Sequence, residues 1–333
     1  MFAEGARQRE QLVAMRITPR LRGERREEIE IHTADGQMLR AAVREASGGR
    51  AGVAVLAHAM MARKSEFERP LGDANAGLAH FLVERGWRTI AFDFRGHGDS
   101  GPGAASGASC TYDDLVSRDL PAVIECARAR AKRLPVVVFG HSLGGHAALA
   151  AQGIGKLGAD AIVCIAANVW LPRLEPSRIR WAIKRATLAA ATAVCEQRGY
   201  FPARALRLGS DDETAAMIAA LARFARTDEW ASEDGAIDYL AGLSSVTVPI
   251  VQIASEEDRL TCPPACAERF LDRCGGPRHF ELVRRADDGG AAPGHMALVT
   301  SAGAVSAWGR AERWVRDEIS RRGGRGRGKS SPG

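Results

Sequence analysis

The run Pro135 to Gln152, PVVVFGHSLGGHAALAAQ, sets Ser142 between Gly140 and Gly144 where an apolar strand-like stretch gives way to a helix-like one. Gly140-His141-Ser142-Leu143-Gly144 matches G-x-S-x-G, and a strand before with a helix after is the context in which that motif forms a sharp turn. The turn leaves no room for side chains at the flanking positions and lifts the serine hydroxyl above a sheet. It also sets the Leu143 backbone N–H at a helix N-terminus, where it can donate to an oxyanion. A free serine hydroxyl is a poor nucleophile, so this chemistry needs an acid and a base later in the chain, in the order Ser, Asp or Glu, His. Among the eight histidines only His295, in DDGGAAPGHMALVTS, has that order together with a loop setting before a helix. Asp258, in IASEEDRLTCP, is the leading acid, and Glu256 and Glu257 are its rivals. A second oxyanion donor belongs in the loop after GVAVLAH, which places the Met60 N–H there, with Met61 and His141 as candidate substrate contacts. No metal or organic cofactor is required.

The remaining histidines read as structural. His141 and His146 flank the turn as packing or hydrogen-bonding residues, and His32 and His80 look like surface or helix-face positions. His279 lies in a strand, and His97 sits in the glycine-rich turn DFRGHGDSG, tied down by Arg95 and Asp99. That turn is spaced neither as G-x-G-x-x-G nor as a Walker loop, which argues against a nucleotide.

These residues need a scaffold, and the chain patterns one. From Glu28 two alternating strands meet at Asp35-Gly36, giving an antiparallel start. Short continuous apolar runs follow, at residues 52–58, 88–94, 135–140, 160–167, 249–255 and 278–286, of the kind that central strands buried on both faces show. Amphipathic helical stretches separate most of them, so a mostly parallel sheet covered on both faces is expected. Between AANVW and SSVTVPIVQIAS some seventy residues are helical in pattern, without a convincing strand; this reads as a cap over the site, shaped by Trp170, Trp181 and Tyr200. The expected division is a tail at 1–24, a core at 25–168, a helical cap at 169–245, the rest of the core at 246–320 and a basic Arg-Gly tail at 321–333.

Composition narrows the class. Of 333 residues 46% are hydrophobic and 26% charged, the balance of a folded globular chain. Five of the net six positive charges fall in the final thirteen residues, so the body is nearly neutral and a nucleic-acid partner is not expected. Seven scattered cysteines without a C-x-x-C pair read as free thiols, and Cys262 with Cys266 as packing residues instead of metal ligands. The N-terminal stretch lacks an apolar signal region and no run suits a membrane span, so a cytoplasmic protein is expected.

Together GHSLGG, DFRGHGDSG, ASEEDRLTCP and GHMALV resemble the α/β-hydrolase superfamily over about residues 27–320. The cap segment RGYFPARALRLG is similar to a bacterial branch near the lysophospholipase, monoacylglycerol lipase and serine aminopeptidase-like hydrolases. The resemblance implies an α/β-hydrolase fold with an eight-stranded, mostly parallel sheet and an inserted helical cap. It also implies Ser142 as nucleophile, Asp258 as acid, His295 as base, and the N–H groups of Leu143 and Met60 as oxyanion hole. One position departs from the pattern, because Ala59 follows His58 where many relatives have glycine, and a positive φ there would strain an alanine. The reading is a serine hydrolase of the esterase or lipase kind, acting on a small-molecule acyl ester. An acyltransferase with the same triad and a non-catalytic binding protein, tethered to RNA or an anionic surface through its Arg-Gly tail, are the alternatives.

Overall fold

A computed structural model describes residues 25–45, 51–68, 77–285 and 291–327. The expected tail at 1–24 and the last residues of the Arg-Gly segment lie outside them. Strands β1 (Arg25–His32) and β2 (Met38–Glu45) form the expected hairpin, with Ile31 opposite Leu39 and Gly36 at φ 82° in the turn. Six strands follow in the sheet: β3 (Gly52–Ala57), β4 (Trp87–Phe92), β5 (Val136–His141), β6 (Ala161–Ile165), β9 (Ile250–Ser255) and β10 (Arg278–Val283). Strands β7 (Tyr200–Phe201) and β8 (Glu213–Thr214) pair separately in the cap. The eight-stranded sheet runs in the order β1-β2-β4-β3-β5-β6-β9-β10, and β2 alone runs opposite to the other seven strands. Every residue of β3, β5, β6 and β9 is buried, as their unbroken apolar runs require of strands covered on both faces.

Two apolar layers flank this sheet. Helices α2 (Leu120–Ala131) and α3 (Leu143–Gly153) cover one face with Leu120, Val123, Leu143 and Ala147. Helices α1 (Leu78–Glu84) and α7 (Val305–Arg327) cover the other with Leu78, Leu82, Trp308 and Ala311. Helix α7 continues through Arg327, into the segment expected as a tail from residue 321, and Arg322 donates to the Thr247 carbonyl oxygen on the body. From β3 the chain steps to one side, to β4, and from β5 to the other, to β6. The loops after β3 and β5 therefore face one another at the carboxyl edge, where open α/β sheets bind ligands.

The insertion between β6 and β9 is helical, as its pattern indicates, with the two-residue β7 and β8 as its only strands in the sheet pairing described. Helix α4 (Arg178–Arg198) starts at a Ser177 cap and buries only Lys184, Leu188, Ala191 and Cys195, one stripe along its length. Helix α5 (Ala215–Thr227) starts at a Thr214 cap and lies against it. Lys184 and Arg180 both reach the buried Glu175 at 2.9 Å, tying α4 to the chain that enters the cap. On the core side the Cys266 thiol of helix α6 (Pro264–Leu271) donates to the same carboxylate. All seven cysteines are free thiols, six of them buried.

Candidate active site

Ser142 stands alone between β5 and α3 at φ 49° and ψ −112°, a conformation that costs an L-residue strain and persists only where its surroundings impose it. Those surroundings are three glycines. A Cβ at Gly144 would lie 2.2 Å from the Ala57 carbonyl oxygen, and one at Gly140 would lie 2.5 Å from Gly145. Gly145, which the motif does not include, is constrained as tightly, since its Cβ would sit 2.6 Å from that of Ala167.

Asp258 and His295 are brought together. His295 Nδ1 lies 2.5 Å from Asp258 Oδ2, while Asp258 Oδ1 accepts the Thr261 and Cys262 N–H groups at 3.0 Å each. Burial alone would raise the Asp258 carboxyl, but the His295 hydrogen bond and charge with the two N–H donors outweigh it and hold it below its usual value. An ionised Asp258 accepts a hydrogen bond from the Nδ1–H of His295, which holds the tautomer that leaves Nε2 unprotonated. The rivals are engaged elsewhere, with Glu256 accepting the Arg285 N–H and Glu257 pairing with Arg259 and Arg285. Ser142 Oγ makes no hydrogen bond to His295 among the described residues; such contacts commonly tighten when substrate binds.

The N–H groups of Leu143 and Met60 donate to no group among the described residues, whereas the flanking ones are committed. Ala59 N–H donates to Glu66 at 3.0 Å, Met61 N–H to Glu213 at 3.3 Å and Gly144 N–H to the His58 carbonyl oxygen at 3.1 Å. The strain expected at Ala59 falls two residues later, because Met61 is the residue with positive φ, at 60°. A cap segment holds it there: Asp211 N–H donates to the Met61 carbonyl oxygen, and Gly209 packs so closely that a Cβ would lie 2.2 Å from that oxygen. His58 is fixed as the Nδ1–H tautomer, donating to the Ala59 carbonyl oxygen at 2.7 Å and accepting the Phe94 N–H on Nε2 at 3.0 Å.

His141 takes a different place from the substrate contact expected of it. It is fully buried, with Nδ1 3.2 Å from both oxygens of Glu66 and Nε2 3.3 Å from the His295 carbonyl oxygen, so it braces the backbone of His295. Glu66, which the sequence does not single out, thus ties down both the Ala59 N–H and, through His141, the backbone of His295. Its only sequence signal is a carboxylate soon after β3 in SEFE, which resembles an ordinary surface stretch.

The glycine-rich turn is tied down as expected, and more heavily. Lys64 bridges Asp93 at 2.6 Å and Asp99 at 2.8 Å, and Arg95 reaches Asp119 at 2.7 Å and Asp35 at 2.9 Å. His97 Nε2 faces Glu213 Oε2 of the cap at 3.2 Å with both side chains fully buried. Burial would lower the His97 imidazole, yet the Glu213 carboxylate prevails and raises it to about 9, so this is an ion pair at neutral pH. Gly98 N–H and Arg63 both donate to Asp211, completing the junction between cap and turn.

Ser142 opens into a cavity of about 170 Å³. Met60, Met61, Leu143 and His146 line its core side, and Leu188, Ala191, Ile218, Leu221 and Phe224 its cap side; no charged residue lines it. Trp170 contributes as expected, but Phe201 lines the wall where Tyr200 was expected, and Trp181 lies in a separate outer groove along α4. Among the described residues no cluster of three or more His, Cys, Asp or Glu side chains is arranged to hold a metal, and no helix is long and apolar enough to cross a membrane.

Comparisons with known proteins follow this geometry. The model of the hydrolase family described as "Serine aminopeptidase, S33" matches residues 73–284. A lysophosphatidylserine lipase, ABHD12 of Xenopus tropicalis, is 40% identical over 73 residues, which is 22% of this chain and 17% of that protein's length. Two solved structures share the fold. A soluble variant of monoglyceride lipase from Saccharomyces cerevisiae, in complex with a substrate analog, superposes with a TM-score of 0.63 at 18% identity over 92% of this chain and 98% of that one. The esterase Pf2001 from Pyrococcus furiosus does so with a TM-score of 0.55 at 16% identity over 89% and 93%.

Proposed function

The chain belongs to the hydrolase family described as serine aminopeptidase, S33, with an α/β-hydrolase fold, and from that premise we propose that it is a serine hydrolase that cleaves a carboxylic ester through an acyl-enzyme on Ser142. The observation that carries this reading is the Asp258–His295 hydrogen bond at the sheet edge where the strained Ser142 turn meets an uncharged cavity. His295 Nε2 takes the Ser142 Oγ proton as Oγ attacks the ester carbonyl. The Leu143 and Met60 N–H groups then donate to the resulting oxyanion, an interaction worth about 2.7 to 4 kcal/mol of barrier per donor in such sites. His295 gives its proton to the leaving alcohol, then activates water to release the acid, while Asp258 holds its tautomer and stabilises the imidazolium.

An ester fits better than the amino-terminal peptide that the family description suggests. Recognition of a free α-ammonium calls for a carboxylate, and the cavity at Ser142 has none among its lining residues. The lipase and esterase descriptions of the similar proteins point the same way. Labelling with a fluorophosphonate and peptide mass spectrometry tests the proposal. The adduct is expected on Ser142, absent in Ser142→Ala and strongly slowed in His295→Ala. Asp258→Asn should cost about 10⁴-fold in kcat on a p-nitrophenyl ester, as loss of the orienting carboxylate does in serine proteases. A folded protein that takes no label, or takes it elsewhere, would overturn the assignment.

A further inference from the structure

The cavity carries information about the acyl group. Its volume of about 170 Å³ is close to that of an engineered apolar protein cavity of about 150 Å³ that holds one benzene molecule. Its cap wall is not loose: Ile218 and Phe224 are at most 1% exposed, and the Phe224 ring packs edge-on against Tyr112 at 5.4 Å. This side of the wall resists an extra methylene, whereas Leu208, 60% exposed, marks the side that opens to solvent.

Besides Ser142, the polar side chains of this lining are His146, Asn168, Thr187 and Thr261, and His146 is the one carried on the same helix as the Ser142 turn. His146 follows Ser142 by four residues on α3, about 6 Å along the helix axis. Its ring stacks on Tyr112, and the Tyr112 hydroxyl lies 2.9 Å from Nδ1, the one acceptor it meets among the described residues, since the neighbouring Trp230 indole N–H can only donate. A buried phenol places its proton on the acceptor it has, so Nδ1 accepts and the hydrogen of the neutral ring resides on Nε2. Burial keeps the ring neutral by lowering it to about 3. Nε2 has no hydrogen-bond partner among the described residues, yet it is not one of their fully buried unsatisfied atoms, which are Arg63 Nε, Thr89 Oγ1 and Trp230 Nε1. His146 as a whole is 5% exposed and lines the cavity, so its accessible edge faces that space.

We propose that this site selects a compact acyl group, of about six carbons or a single ring, bearing an acceptor oxygen near its fourth or fifth carbon that receives the His146 Nε2–H. The proposal rests on the acyl-enzyme reading above. It makes His146 and Ala191 specificity-determining residues, the first for polarity and the second for length.

The test compares p-nitrophenyl butanoate, hexanoate, 4-oxohexanoate, 5-oxohexanoate and decanoate. Hexanoate is expected to exceed decanoate in kcat/KM, and one of the oxo esters to exceed hexanoate by about three- to tenfold, the range of one net hydrogen bond. The oxo preference should fall to unity in His146→Phe. Because that change strands the Tyr112 hydroxyl, the double variant Tyr112→Phe with His146→Phe removes both partners and keeps the test valid if the single variant unfolds. Ala191→Leu should move the best chain length from hexanoate to butanoate. Decanoate turned over as fast as hexanoate, or an oxo preference that is absent or survives the double variant, overturns the proposal while Ser142 still labels with a fluorophosphonate. Absence of both label and ester turnover overturns the hydrolase reading, and this one with it.

Discussion

Replacing Glu213 with glutamine isolates the buried link between cap and core. In the native protein the Glu213 carboxylate faces His97 at 3.2 Å and also receives the Met61 N–H. His97 is raised from 6.5 to about 9: burial opposes its charge, and Glu213 outweighs burial. At 1.36 kcal/mol per pH unit that difference is about 3 kcal/mol of preferential binding of the imidazolium proton in the folded state. A group raised on folding contributes its full stability below its unfolded value, here about 6.5, and loses it as pH rises through its folded value, here about 9. The charged and titratable neighbours include Asp211, whose carboxylate reinforces the charge, and the His58 ring 5.2 Å away, which burial and the His97 charge keep neutral. In Glu213→Gln the imidazole loses its counter-charge and burial lowers it instead. Urea denaturation followed by tryptophan fluorescence should therefore show the wild type ahead by about 3 kcal/mol near pH 6, and the gap should close between pH 6.5 and 9.5. Glu213 itself is held low by His97 against burial, so its own contribution fades only on acidification through the carboxylate range. A stability gap that stays constant from pH 6 to 9.5 would refute the ion-pair reasoning.

Two other perturbations test the geometry around Ser142. Ser142→Gly should be about 1 kcal/mol more stable than Ser142→Ala, because φ 49° with ψ −112° disfavours any side chain with a Cβ; equal melting behaviour would show that the turn stores no such strain. Gly209→Ala forces a Cβ against the Met61 carbonyl oxygen and should lower kcat on a p-nitrophenyl ester by at least about tenfold, as expected when an oxyanion donor shifts, with little change in KM. A fall confined to KM would place the effect in substrate binding instead.

The residues legible in the sequence are those whose role is set by local geometry. Gly140 and Gly144 announce a turn because the backbone crossing there excludes a Cβ, and His295 is identified by its position in a loop after the last strand. The continuous apolar runs identified β3, β5, β6 and β9 for the same reason, since burial on both faces leaves no polar alternation, whereas the run at 278–286, expected to be buried alike, forms the edge strand β10 and is only partly buried. Asp258 was harder to separate from Glu256 and Glu257, because three adjacent carboxylates share one loop and only the hydrogen bonds of the folded loop decide which one meets the imidazole.

The supporting partners lie far apart in the chain and carry no local pattern. Glu66 meets His141 across 75 residues and Glu213 meets His97 across 116, and each reads in sequence as one more acid on a soluble surface. Both are almost wholly buried, and their cost of burial is offset only by the partners that the fold delivers. They converge on one short loop, with Glu66 on the Ala59 N–H and Glu213 on the Met61 N–H, leaving the Met60 N–H between them unpaired. The proposed oxyanion donor is useful only if it is held in place without being satisfied, and this pair of carboxylates would do that from two sides, one in the core and one in the cap. Under the proposed mechanism the cap therefore bears on the reaction in two ways: it forms the wall that would meet the acyl group, and through Glu213 it fixes the backbone that would receive the charge.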